Sequence, residues 1–72
     1  MANVAELTRK ASKRTGHRTQ LVGPVVEIIV ANHRSGWSEK KIVEWLQHHI
    51  GPDNPAAQPG FVRWVLAEAG RA

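Results

Sequence analysis

The sequence predicts an all-α fold: a three-helix bundle preceded by a basic N-terminal arm that can hold a short extra helix. Three observations predict it. Apolar residues recur at helical spacing in three segments of the 72-residue chain, and Gly or Pro stands at the ends of those segments. Only one stretch, Val25 to Val30, has strand-like composition; a strand there would have no partner for its backbone groups. The expected organisation is an arm over residues 1–20 and a tri-helical domain over 21–72, with helices at about 24–34, 38–50 and 59–69.

In the arm, Asn3 as N-cap and Glu6 three residues on make a capping box, and Val4, Leu7 and Ala11 share one side. A short helix over 3–13 follows, with an apolar stripe too thin to sustain it alone, so that it docks on the body, docks on a partner chain or forms only on binding. The run S-K-R-T-G-H-R-T-Q from Ser12 to Gln20 has no apolar residue and reads as a flexible, solvated linker. The first body helix starts with Pro24, where a missing N–H costs nothing, carries Val25, Val26, Ile28, Ile29 and Val30, and stops at Gly36. The second opens on Ser38 as N-cap, with Trp37 at staple spacing from Ile42. Its apolar face is Ile42, Trp45, Leu46, His49 and Ile50, and Gly51-Pro52 ends it. Residues 51–58 read as loop with one tight turn at 55–58. A helix begun at Asn54-Pro55 would place Pro59 where its absent N–H is needed. The last helix therefore begins at Pro59, buries Phe61, Val62, Val65, Leu66 and Ala69, and ends at Gly70. Trp64, at the edge of that face, is expected to bury against the first body helix.

Composition narrows the function. A chain of this length has little material for a braced pocket, and without cysteine it has neither disulfide nor thiolate metal site. His48 and His49 are adjacent on a helix and point about 100° apart, so they do not chelate one ion in ordinary geometry. No nucleophile–base arrangement, isolated carboxylate pair or phosphate-cradling Gly loop is present. The expectation is a non-enzymatic protein with no metal and no cofactor. No apolar run is long enough to cross a bilayer and no leader pattern opens the chain, so a cytoplasmic protein without a membrane partner is expected.

Charge is the most informative feature. The net charge is +4, and all of it lies in residues 1–20. Arg9, Lys10, Lys13, Arg14 and Arg18 stand there against Glu6 alone, whereas cations and carboxylates balance over 21–72. A basic arm on a neutral body reads as a polyanion contact. Lys40 and Lys41 lie in the first turn of the second body helix, the unfavourable end of its dipole, where a phosphate would compensate them; Glu44 offers a local alternative to Lys40. On the last helix Gln58, Gly60, Arg63, Trp64 and Ala67 are free to face a groove. Gln58 suits adenine, Arg63 suits guanine, and Gly60 permits close backbone approach.

Taken together, V-V-E-I-I-V-A-N-H-R-S-G, S-E-K-K-I-V-E-W-L and F-V-R-W-V-L-A-E-A-G resemble the helical core of small helix-turn-helix or winged-helix regulators of bacteria, phages and plasmids. The resemblance is at the level of pattern and covers about residues 22–70. Its loop of about eight residues exceeds the three or four of the compact motif, and a wingless form is expected. It implies a helix-turn-helix fold in which Gln58, Gly60 and Arg63 face the major groove and Lys40 and Lys41 meet phosphates. The leading expectation is thus a DNA-binding accessory or transcription-regulatory protein acting on double-stranded DNA as a homodimer, its arm on phosphates or in the minor groove. Two alternatives stay open. One is a protein–protein interaction module with a solubilising tail; the other is an RNA-binding protein in which Trp37 or Trp64 stacks on unpaired bases.

Overall fold

The computed structural model describes residues 4–70; the expected cap at Asn3 lies outside them. The described residues are all-helical, with α1 over Val4–Thr15, α2 over Thr19–Arg34, α3 over Glu39–Ile50, a 3₁₀ turn over Pro55–Ala57 and α4 over Pro59–Gly70. α4 is the hub, packing against α1, α2, α3 and the 3₁₀ turn, while α1 packs chiefly on α2.

The N-terminal segment differs from the expected arm. α1 is docked, with Leu7, Thr8 and Ala11 buried, and the supposed linker is reduced to a turn at residues 16–18. The polar residues that suggested solvation supply the hydrogen bonds of that turn. Ser12 donates its hydroxyl to the His17 carbonyl. Thr15 donates to the Ala11 carbonyl at 2.9 Å and accepts the His17 N–H at 3.2 Å. Gly16 takes φ +77°, a left-handed conformation that ends α1. Ser, Thr and Gly without apolar neighbours are turn chemistry as much as disorder chemistry.

α2 begins at Thr19, not at Pro24, so the proline sits inside the helix. Two features make this tolerable. Gly23 has no Cβ to meet the proline ring, which lightens the clash that disfavours helical geometry before a proline. Gln20 and Pro24 are both exposed, so the turn that lacks a helical hydrogen bond lies at the surface. The gain is Val22, which the extra turn brings to 1% exposure. Because Pro24 is exposed, Pro24→Ala is expected to stabilise the fold by roughly 1–2 kcal/mol, the restored helical hydrogen bond outweighing the freer unfolded chain. A thermal melt checks this, since each kcal/mol moves the midpoint of a domain this size by about 4–8 °C.

The rest of α2 is helical despite its β-branched run, with Val26 and Ile29 fully buried. It closes on Gly36 at φ +98°, with the Trp37 N–H reaching the Asn32 carbonyl at 3.0 Å, the six-to-one bond of a Schellman ending. In α3, the Ser38 hydroxyl accepts the Lys41 N–H at 3.1 Å. The buried face is Ile42, Val43 and Leu46. It is thus turned toward Val43 relative to expectation, leaving Trp45 half-buried and His49 exposed. Past Gly51, the Asn54 carboxamide accepts the Ala56 N–H at 2.9 Å and the turn presses Ala56 and Ala57 into the core. α4 buries Phe61, Val62 and Val65, with Leu66 and Ala69 only half-buried.

Candidate nucleic-acid interface

Helical spacing sorts the cations of α1 into two rows, Arg9 with Lys13 and Lys10 with Arg14, each four residues apart. The second row leans on α4. Lys10 Nζ lies 3.7 Å from a Glu68 carboxylate oxygen, and the Arg14 guanidinium sits 5.2 Å from the centre of the Trp64 ring. Trp64 is thus half-buried against the core, with Arg14 of α1 over its ring in a cation–π contact. Arg9 and Lys13 point to solvent and make no ion pair among the described residues. Arg18, exposed, is the extended residue that opens α2. Lys13 and Arg14 occupy the last turn of α1, where the dipole favours cations. The cluster is thus held on a folded helix, and little ordering entropy remains to be lost when a polyanion binds it.

The α3–α4 side is different. Gln58 is exposed, but its amide donates to the Pro52 carbonyl at 2.6 Å and to the Asn54 carbonyl at 3.3 Å, closing the loop. Arg63 donates its Nε–H to Glu39 at 3.0 Å, bridging α4 to the first turn of α3. This pair is exposed, with 76% of the Arg63 side chain accessible, so it contributes at most about 1 kcal/mol and exchanges readily. Gly60 faces open space. Lys40 and Arg63 line an open groove of about 380 Å³ with Glu39, Glu44, Val43 and Pro59: two cations against two carboxylates over an apolar floor. Lys41 lies with its Nζ 4.4 Å from the centre of the Trp37 ring. The sequence-predicted residues therefore fall into two groups. Arg9, Lys10, Lys13 and Arg14 gather on α1 with Arg18 at its exit, while Lys40, Gln58, Gly60 and Arg63 gather where α3 and α4 begin.

Two features escaped the sequence reading. The Trp45 and His49 rings stack at 3.9 Å with an 18° interplanar angle, and His49 Nδ1 lies 2.9 Å from the Trp45 carbonyl. Their four-residue spacing was the available signal, but it was absorbed into the core face. The second is His17, whose Nε2 is buried without a hydrogen-bond partner. It lines an apolar crevice of about 190 Å³ with Leu21, Val22, Val25 and Ile50. Among the described residues no three His, Cys, Asp or Glu side chains are placed to hold a metal ion, and no helix is long and apolar enough to cross a membrane. No match was found to any protein-family model, curated protein or solved structure.

Proposed function

We propose that the protein is a non-enzymatic nucleic-acid-binding factor, an accessory or transcription-regulatory protein that holds double-stranded DNA mainly through phosphate contacts from α1 and Arg18. The observation that carries this is the one-sided charge: Arg9, Lys10, Lys13, Arg14 and Arg18 all exposed on or beside one helix, with Glu6 the only carboxylate in that segment. Phosphates reward such an array through counterion release. The α3–α4 pair takes a subordinate part, in the manner of a helix-turn-helix. Arg63 would exchange Glu39 for a guanine edge and Gln58 would leave the loop for adenine, with Gly60 allowing close approach and Lys40 and Lys41 on the backbone. Each reader gives up an internal contact, so sequence preference from one copy is modest, which favours action as a homodimer on paired half-sites.

A mobility-shift titration on a short duplex across a salt series tests this. Up to five phosphate contacts give a slope of log affinity against log salt of about −4. Replacing Arg9, Lys13 and Arg18 together by Gln is expected to reduce that slope by about 2–3 and to weaken binding more than tenfold at low salt. The helical circular dichroism should stay unchanged, since none of the three is buried. No shift at any salt, or a slope indifferent to the three cations, would overturn the reading.

One observation favours a second reading, contact with another protein chain. Leu21 is 63% exposed on the rim of the crevice that His17, Val22 and Ile50 also line, a large apolar side chain left in water beside an apolar recess. Retention of binding partners by the wild type but not by Leu21→Ser, with no affinity for DNA, would favour it.

A further inference from the structure

We infer that the surface formed by Trp37, just before the α3 cap, and by Lys41, Trp45 and His49 on α3 is a stacking platform for the unpaired bases of a single nucleic-acid strand. This rests on the nucleic-acid reading above and gives that reading a second surface. Lys41, Trp45 and His49 recur at intervals of four along α3, and Trp37 stands the same interval before Lys41, N-terminal to the Ser38 cap. In a duplex each base has its faces covered by its neighbours, so only an unpaired strand can offer a base face to these rings.

The row is organised in advance. The His49 ring is fixed twice, by its stack on Trp45 at 3.9 Å and by the Nδ1 contact to the Trp45 carbonyl at 2.9 Å. In that contact Nδ1 is the donor, because a carbonyl accepts only. His48 meets the His49 ring edge-on at 5.1 Å and 77°. At the other end the Lys41 ammonium covers Trp37 at 4.4 Å. Lys41 and His49 are exposed, and Trp37 and Trp45 are half-buried against the core. Each indole thus packs against the core and carries a surface side chain over its ring, Lys41 on Trp37 and His49 on Trp45. An arriving base displaces Lys41 from Trp37, and the released ammonium together with Lys40 meets the strand's phosphates. Glu39, the carboxylate in the same turn, is occupied by Arg63. Stacking of this kind is tolerant of sequence, since every base presents a π-face. α1 and α3 each pack on α2 and α4 and not chiefly on one another, so the platform and the cationic helix are carried by different elements.

The test uses the full chain with a 12-nucleotide dT strand, a 12-nucleotide rU strand and a 12-base-pair duplex, read by anisotropy of the labelled strand and by tryptophan emission. A single strand is expected to bind more tightly than the duplex and to quench the emission. The pair Trp45→Leu/His49→Leu, which keeps an apolar helical flank but deletes both rings, is expected to weaken single-strand binding by about tenfold or more and to leave the duplex unaffected. Trp45→Phe/His49→Phe keeps π-faces and should retain most of the affinity, which a merely structural role would not predict. His49→Leu alone, at an exposed position, serves if the Leu pair melts below assay temperature. Comparing dT with rU tells DNA from RNA as the source of the bases. Single strands bound no better than duplex, with all ring variants equal to wild type, would overturn the inference. The underlying reading would then still stand if duplex binding fell in the Arg9, Lys13 and Arg18 Gln variant. Ring-dependent single-strand binding that ignores those three cations would instead sustain the platform and overturn the α1 reading. Absence of binding to all three overturns both.

Discussion

Truncating Leu46 to Ala is expected to remove most of the stability of the fold. Leu46 is at 0% exposure on α3, in one core with Ile42, Phe61, Val62 and the 3₁₀-turn alanines. Deleting a fully buried Leu side chain costs about 2–5 kcal/mol, the lost transfer energy plus that of the void left behind. A single core in a chain this small supplies only about 3–5 kcal/mol in total. The void would not collapse easily. Ala57 on the 3₁₀ turn already presents a minimal side chain, and the turn is tied down by Asn54 and by the Gln58 amide. A melting midpoint lowered by at least about 10 °C is the expected readout, and Leu46→Met, which conserves volume, should lose under about 1.5 kcal/mol. If Leu46→Ala melted like the wild type, α3 would not be packed as described.

How much of this was legible in the sequence depended on whether a signal was local. The all-α class was, because caps and punctuation are local: the Ser38 cap bond and the Gly36 ending are written in adjacent residues. The docking of α1 was not. Leu7 and Ala11 make a stripe too thin to announce a packed helix, and Ala11 matters because it is small enough for close approach, which leaves no periodic trace. The start of α2 was misplaced because the rule that proline begins a helix is a local rule. Burial of Val22 is a tertiary gain, and Gly23 lowers the local penalty. Ala56 and Ala57 are core residues in a loop, where no hydrophobic period exists to reveal them.

The candidate interface divides the same way. The concentration of cations in residues 9–18 is a property of composition and was visible at once. That Arg63 is held by Glu39, Lys10 by Glu68 and Arg14 by Trp64 depends on which helices meet, and no spacing rule gives it. These pairings alter the chemistry of the surface. They lower the free charge at the start of α4, where the sequence placed the readers, and leave Arg9 and Lys13 as the least encumbered cations of α1. The row on α3 lies between these cases. Its four-residue spacing is local, but its exposure follows from the rotation of α3 toward Val43, which only packing decides.

Placing a carboxylate at the α1 contact by Ala11→Asp is expected to separate fold from charge. Ala11 is at 0% exposure, and an unpaired carboxylate held there would cost several kcal/mol. Undocking α1 is the cheaper response, since its buried set is only Leu7, Thr8 and Ala11 and a free helix of this length is marginal in water. α1 should therefore leave the body and melt, with a visible loss of helical dichroism and a midpoint lower by roughly 10 °C or more as its packing on α2 and α4 is lost. Gln20→Asp, exposed in the first turn of α2 where a carboxylate is favoured, controls for the added charge and should do neither. DNA binding supplies a second readout. The undocked segment keeps all five cations, so the salt slope should stay within about one unit of wild type. Affinity should nonetheless fall, because a melted segment must be ordered on the phosphates. If slope and affinity both survived, the cations would be acting as a flexible arm and the docked helix would add nothing to binding. Loss of affinity at an unchanged slope is the result expected of a pre-ordered array.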